Sequence, residues 1–133
     1  MKNNITMSVV CNATYLPDQS SIESHRFLWS YEITINNESD QIVQLLSRYW
    51  RIVDMMGHIE EVRGPGVVGL QPLIKPGKTF TYTSFCQLMT PQGEMEGNYT
   101  MQTLDEVNFI IPIPKFILFS SDSITTAFRA RLH

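Results

Sequence analysis

The stretch Arg63-Gly64-Pro65-Gly66-Val67-Val68-Gly69-Leu70-Gln71-Pro72 can be read in two ways. As a string, Gly64-x-Gly66-x-x-Gly69 matches the glycine fingerprint of dinucleotide-binding folds. That fingerprint works because a strand feeds the loop and a helix begins in it, aiming backbone N–H groups at a pyrophosphate. Here Gln71 and Pro72 follow Gly69 closely, and Lys75-Pro76-Gly77 comes next, so no helix can be sustained out of the loop. The stretch is therefore read as a corner between strands, with Val67 and Val68 filling the core. A weaker reading keeps the chemistry. Successive glycines can converge N–H groups into an anion-holding concavity, so Arg63, Gly64, Gly66, Val67, Val68 and Gly69 form a candidate anion site, with Lys75 and Lys78 close in sequence.

Outward from this corner, the chain alternates apolar and polar residues with a period of two, as half-buried strands do. Ile5 to Tyr15 places Ile5, Met7, Val9, Cys11, Ala13 and Tyr15 on one face, and Phe27 to Ile35 does the same with Phe27, Trp29, Tyr31, Ile33 and Ile35. Ile42 to Val53 is apolar at both parities in places, which suits a strand inside a sheet. Asp54-Met55-Met56-Gly57 breaks it, and His58 to Arg63 returns as a hairpin partner. Thr79 to Leu88 presents Phe80, Tyr82, Ser84, Cys86 and Leu88 on one side. Asn98 to Leu104 and Asn108 to Phe119 supply the last strands. In the final one Pro112 and Pro114 cannot donate to a ladder, and they mark an edge or a bulge.

About seven short strands without alternating helices predict an all-β antiparallel sandwich. Trp29, Tyr31, Trp50, Phe80, Tyr82, Tyr99 and Phe109 are its candidate core aromatics. Residues 1–119 are assigned to the sandwich. Residues 120–133 are read as a tail that is frayed or a short helix, capped by Ser123 with Ile124, Ala127, Phe128 and Leu132 on one face.

Length and composition narrow the class. A chain of 133 residues has room for one core, and 43% apolar with 17% charged residues is a globular balance. A net charge of −3 offers no field for a nucleic-acid backbone. Phe109 to Phe119, the most apolar run, is interrupted by Pro112, Pro114 and Lys115, so no membrane span is expected. The start, Met1-Lys2-Asn3-Asn4 running into Ile5-Thr6-Met7-Ser8, does not read as a secretory signal, and a cytoplasmic location is expected. In that compartment Cys11 and Cys86 are expected as buried free thiols, and the Asn-x-Ser/Thr triplets at Asn12, Asn37 and Asn98 carry no glycan.

No catalytic site and no cofactor are expected. His25, His58 and His133 are scattered and lack zinc-ligand spacing. Neither a nucleophile elbow nor a Walker A loop occurs. Glu60-Glu61 point to opposite faces of a strand, and Glu94 and Glu96 are read as solvated charges flanking a turn next to Gly93 and Gly97.

One co-linear set of motifs is specific: Val43-Gln44-Leu45-Leu46-Ser47-Arg48-Tyr49-Trp50, then Asp54, Gly57, Glu61 through Pro72, Pro76-Gly77, Phe80-x-Tyr82-x-Ser84, Gly93-x-Met95-x-Gly97-x-Tyr99 and Ile113-Pro114-x-Phe116. Over about residues 5 to 119 the chain resembles the bacterial ApaG family. The resemblance implies a fibronectin type III or immunoglobulin-like sandwich and no established reaction. By name it implies an association with Co²⁺ and Mg²⁺ efflux, which a chain without a span would serve only indirectly. Related eukaryotic domains are presumed protein-interaction modules. The family's proposed phosphate or nucleotide loop maps onto Gly64, Gly66 and Gly69. The chain departs from the family in Pro65 and Leu70, where acidic residues are common, and in Tyr49, where His is common.

The function expected is a non-catalytic module that binds a protein partner, as a monomer or homodimer, with Met55 and Met56 at the hairpin tip as candidate contacts. The alternative is a small-anion sensor for pyrophosphate or a dinucleoside polyphosphate at the glycine loop. A Mg²⁺-dependent hydrolase is the third possibility and is not expected.

Overall fold

The computed structural model describes residues 5–120 and 125–131. Its elements are β1 (Met7–Tyr15), β2 (Phe27–Asn37), β3 (Val43–Asp54), β4 (Ile59–Pro65), β5 (Leu73–Ile74), β6 (Thr79–Leu88), β7 (Gln92–Thr103), β8 (Asn108–Phe119) and β9 (Thr125–Arg131), with one 3₁₀ turn at Pro17–Gln19. The strands pair antiparallel in two sheets, one ordered β6-β2-β1-β9 and the other β4-β3-β7-β8, with β5 also paired to β3. Stacked, they form the antiparallel sandwich that the alternation predicts.

The inner faces follow the period-two pattern. Met7, Val9, Cys11, Ala13 and Tyr15 of β1 and Phe27, Trp29, Tyr31, Ile33 and Ile35 of β2 are all buried. They meet Trp50, Met95, Tyr99, Met101 and Phe116 of the other sheet in one cluster. Tyr31, Trp50 and Phe116 form an aromatic triangle with ring centroids 5.4, 6.0 and 6.1 Å apart. Burying each such side chain contributes about 1.5 to 3 kcal/mol. Trp29 Nε1–H donates to the Phe119 carbonyl at 2.6 Å, tying the end of β8 to β2. Phe80 and Phe109 are partly buried against the same core.

Several sequence expectations are corrected. The strands number nine among the described residues, because β5 is only a two-residue pairing and because part of the tail is extended. Thr125–Arg131 is not a short helix but a strand on β1, with Thr14 opposite Thr125 and Ser8 opposite Arg131. Open backbone on β1 decides this over a local helical pattern. The proposed cap Ser123, with Ile124 and Leu132, lies outside the described residues.

The glycines near residue 95 do not mark a turn either, since Gln92–Thr103 is one continuous strand. Gly97 is there because β3 passes close by: a Cβ on it would stand 1.9 Å from the Tyr49 carbonyl oxygen. Glu94 and Glu96 are therefore strand residues. Both lie within 4.0 Å of Lys115 Nζ, and Glu96 also meets Arg51 at 3.5 Å.

The prolines of β8 mark both an edge and a bulge. β8 is the outer strand of its sheet, and its register with β7 slips between Met95 opposite Phe116 and Gly97 opposite Ile113. The inward parity changes accordingly, from Ile111 and Ile113 to Phe116 and Leu118.

Candidate functional site

The glycine loop is fastened to a bulge in β3. Leu45 pairs with Met101 and Ser47 with Thr100, so Leu46 is one residue too many for the ladder. An extra residue turns every later side chain to the other face. Val43 and Leu45 point into the core before the bulge, and Trp50 and Ile52 do so after it. Arg48 shares their parity, which explains why this strand looks apolar at both parities in sequence.

The Leu46 carbonyl is captured by the loop. It accepts the Gly66 N–H at 2.7 Å and the Gln71 side-chain amide at 2.9 Å. Val67 and Leu70 exchange reciprocal backbone bonds of 2.8 Å around Val68-Gly69. Both turn residues have positive φ, +43° at Val68 and +80° at Gly69, as a tight type I′ connection requires. Val67 is fully buried, as expected, whereas Val68 is 54% exposed, so only one of the two valines reaches the core. The reason is the turn itself, which rotates Val68 outward in a conformation unfavourable for a β-branched residue.

This geometry rearranges the candidate anion site. The N–H groups of Gly66 and Val67 are given to carbonyls, and Gly64 lies in the β4 ladder opposite Arg48. Arg63 lies over the Tyr49 ring, its guanidinium carbon 4.3 Å from the centroid, and Tyr49 also meets Glu61 at 2.5 Å. That hydrogen bond to Glu61 holds the Tyr49 hydroxyl above its ordinary pKa.

The cation next to the loop is Arg48. Its Nη1 donates to the Pro65 and Gly66 carbonyls at 3.1 and 3.0 Å. Together with Tyr31, Tyr82, Ser84, Val68 and Gly69 it lines a cavity of about 200 Å³. Burial pushes the Tyr31 hydroxyl above its ordinary pKa, while the Ser84 hydrogen bond and the Arg48 charge pull the other way. Among the described residues Arg48 makes no ion pair with a carboxylate. Sequence reasoning chose Arg63, the adjacent residue, and missed Arg48. The broken alternation at Leu45-Leu46 was the available signal.

A second feature lies at the sandwich end where the β3–β4, β6–β7 and residue 21–26 turns converge. Asp54 Oδ1 accepts the N–H groups of Met56 and His58, each at 2.9 Å, and Thr90 Oγ1 accepts the Met55 N–H at 3.2 Å. These bonds hold the tip firmly with its side chains outward. Ile22, Met56 and Met89 are 75%, 83% and 70% exposed. With Phe27 and Pro91 they line an apolar groove of about 670 Å³, edged by His25, His58 and Asp54. The sequence pointed to Met55 and Met56, of which Met56 lines the groove and Met55 does not, and it gave no reason to join Ile22 and Met89 to Met56.

Cys11 and Cys86 are buried, free thiols, each pushed up to about 12 by burial. Such thiols are poor nucleophiles. Among the described residues no group of three His, Cys, Asp or Glu side chains is placed to hold a metal ion, and no helix is long and apolar enough to cross a membrane.

Fold and site together define a two-sheet antiparallel β-sandwich with a bulge-anchored glycine loop on one side and an apolar groove at one end. Residues 17–103 match the ApaG domain family, and the chain belongs to that family. It is 55% identical over 104 residues to Protein ApaG of Mesorhizobium japonicum, covering 78% of this chain and 80% of that one. It is 46% identical over 115 residues to Protein ApaG of Parvibaculum lavamentivorans, covering 86% and 88%. The crystal structure of the putative ApaA protein from Bordetella pertussis superposes with a TM-score of 0.86 at 36% identity, covering 92% of this chain and all of that one.

Proposed function

We propose that the protein is a non-catalytic cytoplasmic docking module whose protein partner seats on the apolar end groove. The observation that carries this reading is the exposure of Ile22, Met56 and Met89 around one concave surface. Single exposed apolar residues are ordinary, but three large ones around a groove mark a contact surface. Methionines suit such a role because their flexible thioethers adapt to a partner. The edging His25, His58 and Asp54 give it polar rim groups. Any bearing on Co²⁺ or Mg²⁺ balance would run through that partner. The test compares wild type with Met56→Asp/Met89→Asp in quantitative affinity capture, with melting temperature as the control for folding. Lost capture at an unchanged melting temperature is expected, and equal capture by both proteins would refute the reading.

A second reading is favoured by one observation, the half-buried Arg48 at the mouth of the polar cavity with no carboxylate partner. A small phosphate-containing anion would neutralise it, with Tyr31, Tyr82 and Ser84 as hydrogen-bonding neighbours. At 100 times its dissociation constant a ligand adds about 2.7 kcal/mol, which should raise the melting temperature by about 5 to 10 °C. Pyrophosphate should produce that shift in wild type and not in Arg48→Gln. No shift in wild type removes this reading.

A further inference from the structure

We propose that β6 is a self-pairing edge, and that two copies of this chain join through it, antiparallel, into one continuous sheet.

The main chain shows which groups of β6 are open. The Asn37 N–H donates to the Lys78 carbonyl at 3.0 Å, one step beyond the pairing of Asn36 with Thr79. Antiparallel ladders alternate bonded and non-bonded pairs, so the even residues of β6, from Phe80 to Leu88, bond to β2. The Leu16 N–H donating to the Leu28 carbonyl at 2.9 Å agrees, because it gives the even residues of β2 to β1 and the odd ones to β6. The N–H and C=O groups of Thr79, Thr81, Thr83, Phe85 and Gln87 therefore point away from the sheet, along an edge that no other described strand covers. Their side chains are all exposed, Phe85 at 61%.

Sheet edges are normally guarded by charge, proline or bulges. Among the described residues the other long outer strands carry such guards: β4 has Glu60, Glu61, Arg63 and Pro65, β8 has Pro112, Pro114, Lys115 and its bulge, and β9 includes Arg129 and Arg131, while β5 is protected by being only two residues long. β6, Thr-Phe-Thr-Tyr-Thr-Ser-Phe-Cys-Gln-Leu, has no charge and no proline in ten residues.

A second copy fits this edge. A two-fold axis at Thr83 sets Thr83 opposite Thr83, Thr81 opposite Phe85 and Thr79 opposite Gln87. Each odd residue then meets an odd residue with its hydrogen-bonding groups turned the right way, and no like charges come together. Threonine–threonine and aromatic–β-branched pairs are favourable across strands. With one long unguarded edge per copy among the described residues, assembly closes at the dimer instead of growing into a filament. An edge contact alone buries less than a standard interface, so the association should be weak and reversible.

This surface is separate from the apolar end groove, so either proposal can fail without the other. The experiment is sedimentation equilibrium of the full chain from a few micromolar to about 1 mM, with amide NMR over the same range. A dimer is expected, with concentration-dependent changes at the amides of Thr81, Thr83 and Phe85. Thr83→Pro removes one outward N–H without touching the β2 ladder, and Phe85→Lys gives β6 the kind of charge that guards the other edges. Each should weaken association at least tenfold, with melting temperature reporting the fold of each variant. A chain that stays monomeric to 1 mM overturns the proposal. So do concentration-dependent changes centred on Met56 and Met89, or a dimer that folded Phe85→Lys leaves intact.

Discussion

The hydroxyl oxygens of Tyr82 and Tyr99 meet at 2.5 Å in the interior, one tyrosine carried by each sheet. Their rings stand edge to face, 6.5 Å between centroids. Each hydroxyl is the other's means of being buried without loss, since an unpaired buried donor or acceptor costs about 1 to 3 kcal/mol.

Removing both hydroxyls should therefore cost less than the two single removals added together. Tyr82→Phe is expected to destabilise by about 1 to 3 kcal/mol, and Tyr82→Phe/Tyr99→Phe by clearly less than the sum of the two single changes. A urea-denaturation double-mutant cycle measures this, and strict additivity would show that the pair does not couple the sheets.

The buried thiols should make the fold alkali-sensitive. Burial raises Cys11 and Cys86 from 9.0 to about 12, so the folded chain keeps protons that the unfolded chain releases above about pH 9. Their contribution is intact below pH 9 and is lost as the pH climbs towards 12, at about 1.4 kcal/mol per pH unit for each thiol. Tyr31, Tyr82 and Tyr99, also raised by burial, act in the same direction at higher pH. The urea midpoint should fall steadily between pH 9 and 11, less steeply in Cys86→Ala. A flat profile would contradict the thiol burial.

Arg48 and Arg63 should behave differently although both flank the glycine loop. Arg48→Ala removes two charge-assisted bonds to the Pro65 and Gly66 carbonyls and should cost about 2 kcal/mol, with faster amide exchange at Gly66 and Val67. Arg63→Ala, on the outer face over Tyr49, should leave the melting temperature essentially unchanged. Equal effects would mean that Arg48 does not hold the loop.

Within the loop, the glycines are not equivalent. A Cβ on Gly66 would stand 2.1 Å from the Leu70 carbonyl oxygen, whereas one on Gly69 meets nothing within 4 Å. Gly66→Ala should destabilise by more than about 2 kcal/mol, and Gly69→Ala by about 1 kcal/mol, the cost of its positive φ alone. Val68→Asn, which accepts positive φ and makes an Asn-Gly turn, should gain about 0.5 to 1 kcal/mol. Thermal denaturation of the three variants decides the order.

The sequence alone settled most of the strands and which face of most of them is buried, because side chains on a pleated backbone alternate and water sorts them. The residues of β1, β2 and β6 kept their period from end to end, so their inner faces could be read directly. It also settled that the triple-glycine loop starts no helix, since Pro72 and Pro76 forbid one. Only the tertiary structure decided the rest. One surplus residue, Leu46, turned Arg48 inward and freed the carbonyl that fastens Gly66, and which residue would be surplus depends on how β3 registers against β7. Likewise Gly97 looks like a turn until the Tyr49 carbonyl is seen beside it, and the bareness of β6 matters only once β6 is known to lie at a sheet's edge. Alternation is a local property of the chain, whereas register, bulges and edges are set by strands distant in sequence, and no local pattern encodes which strands become neighbours.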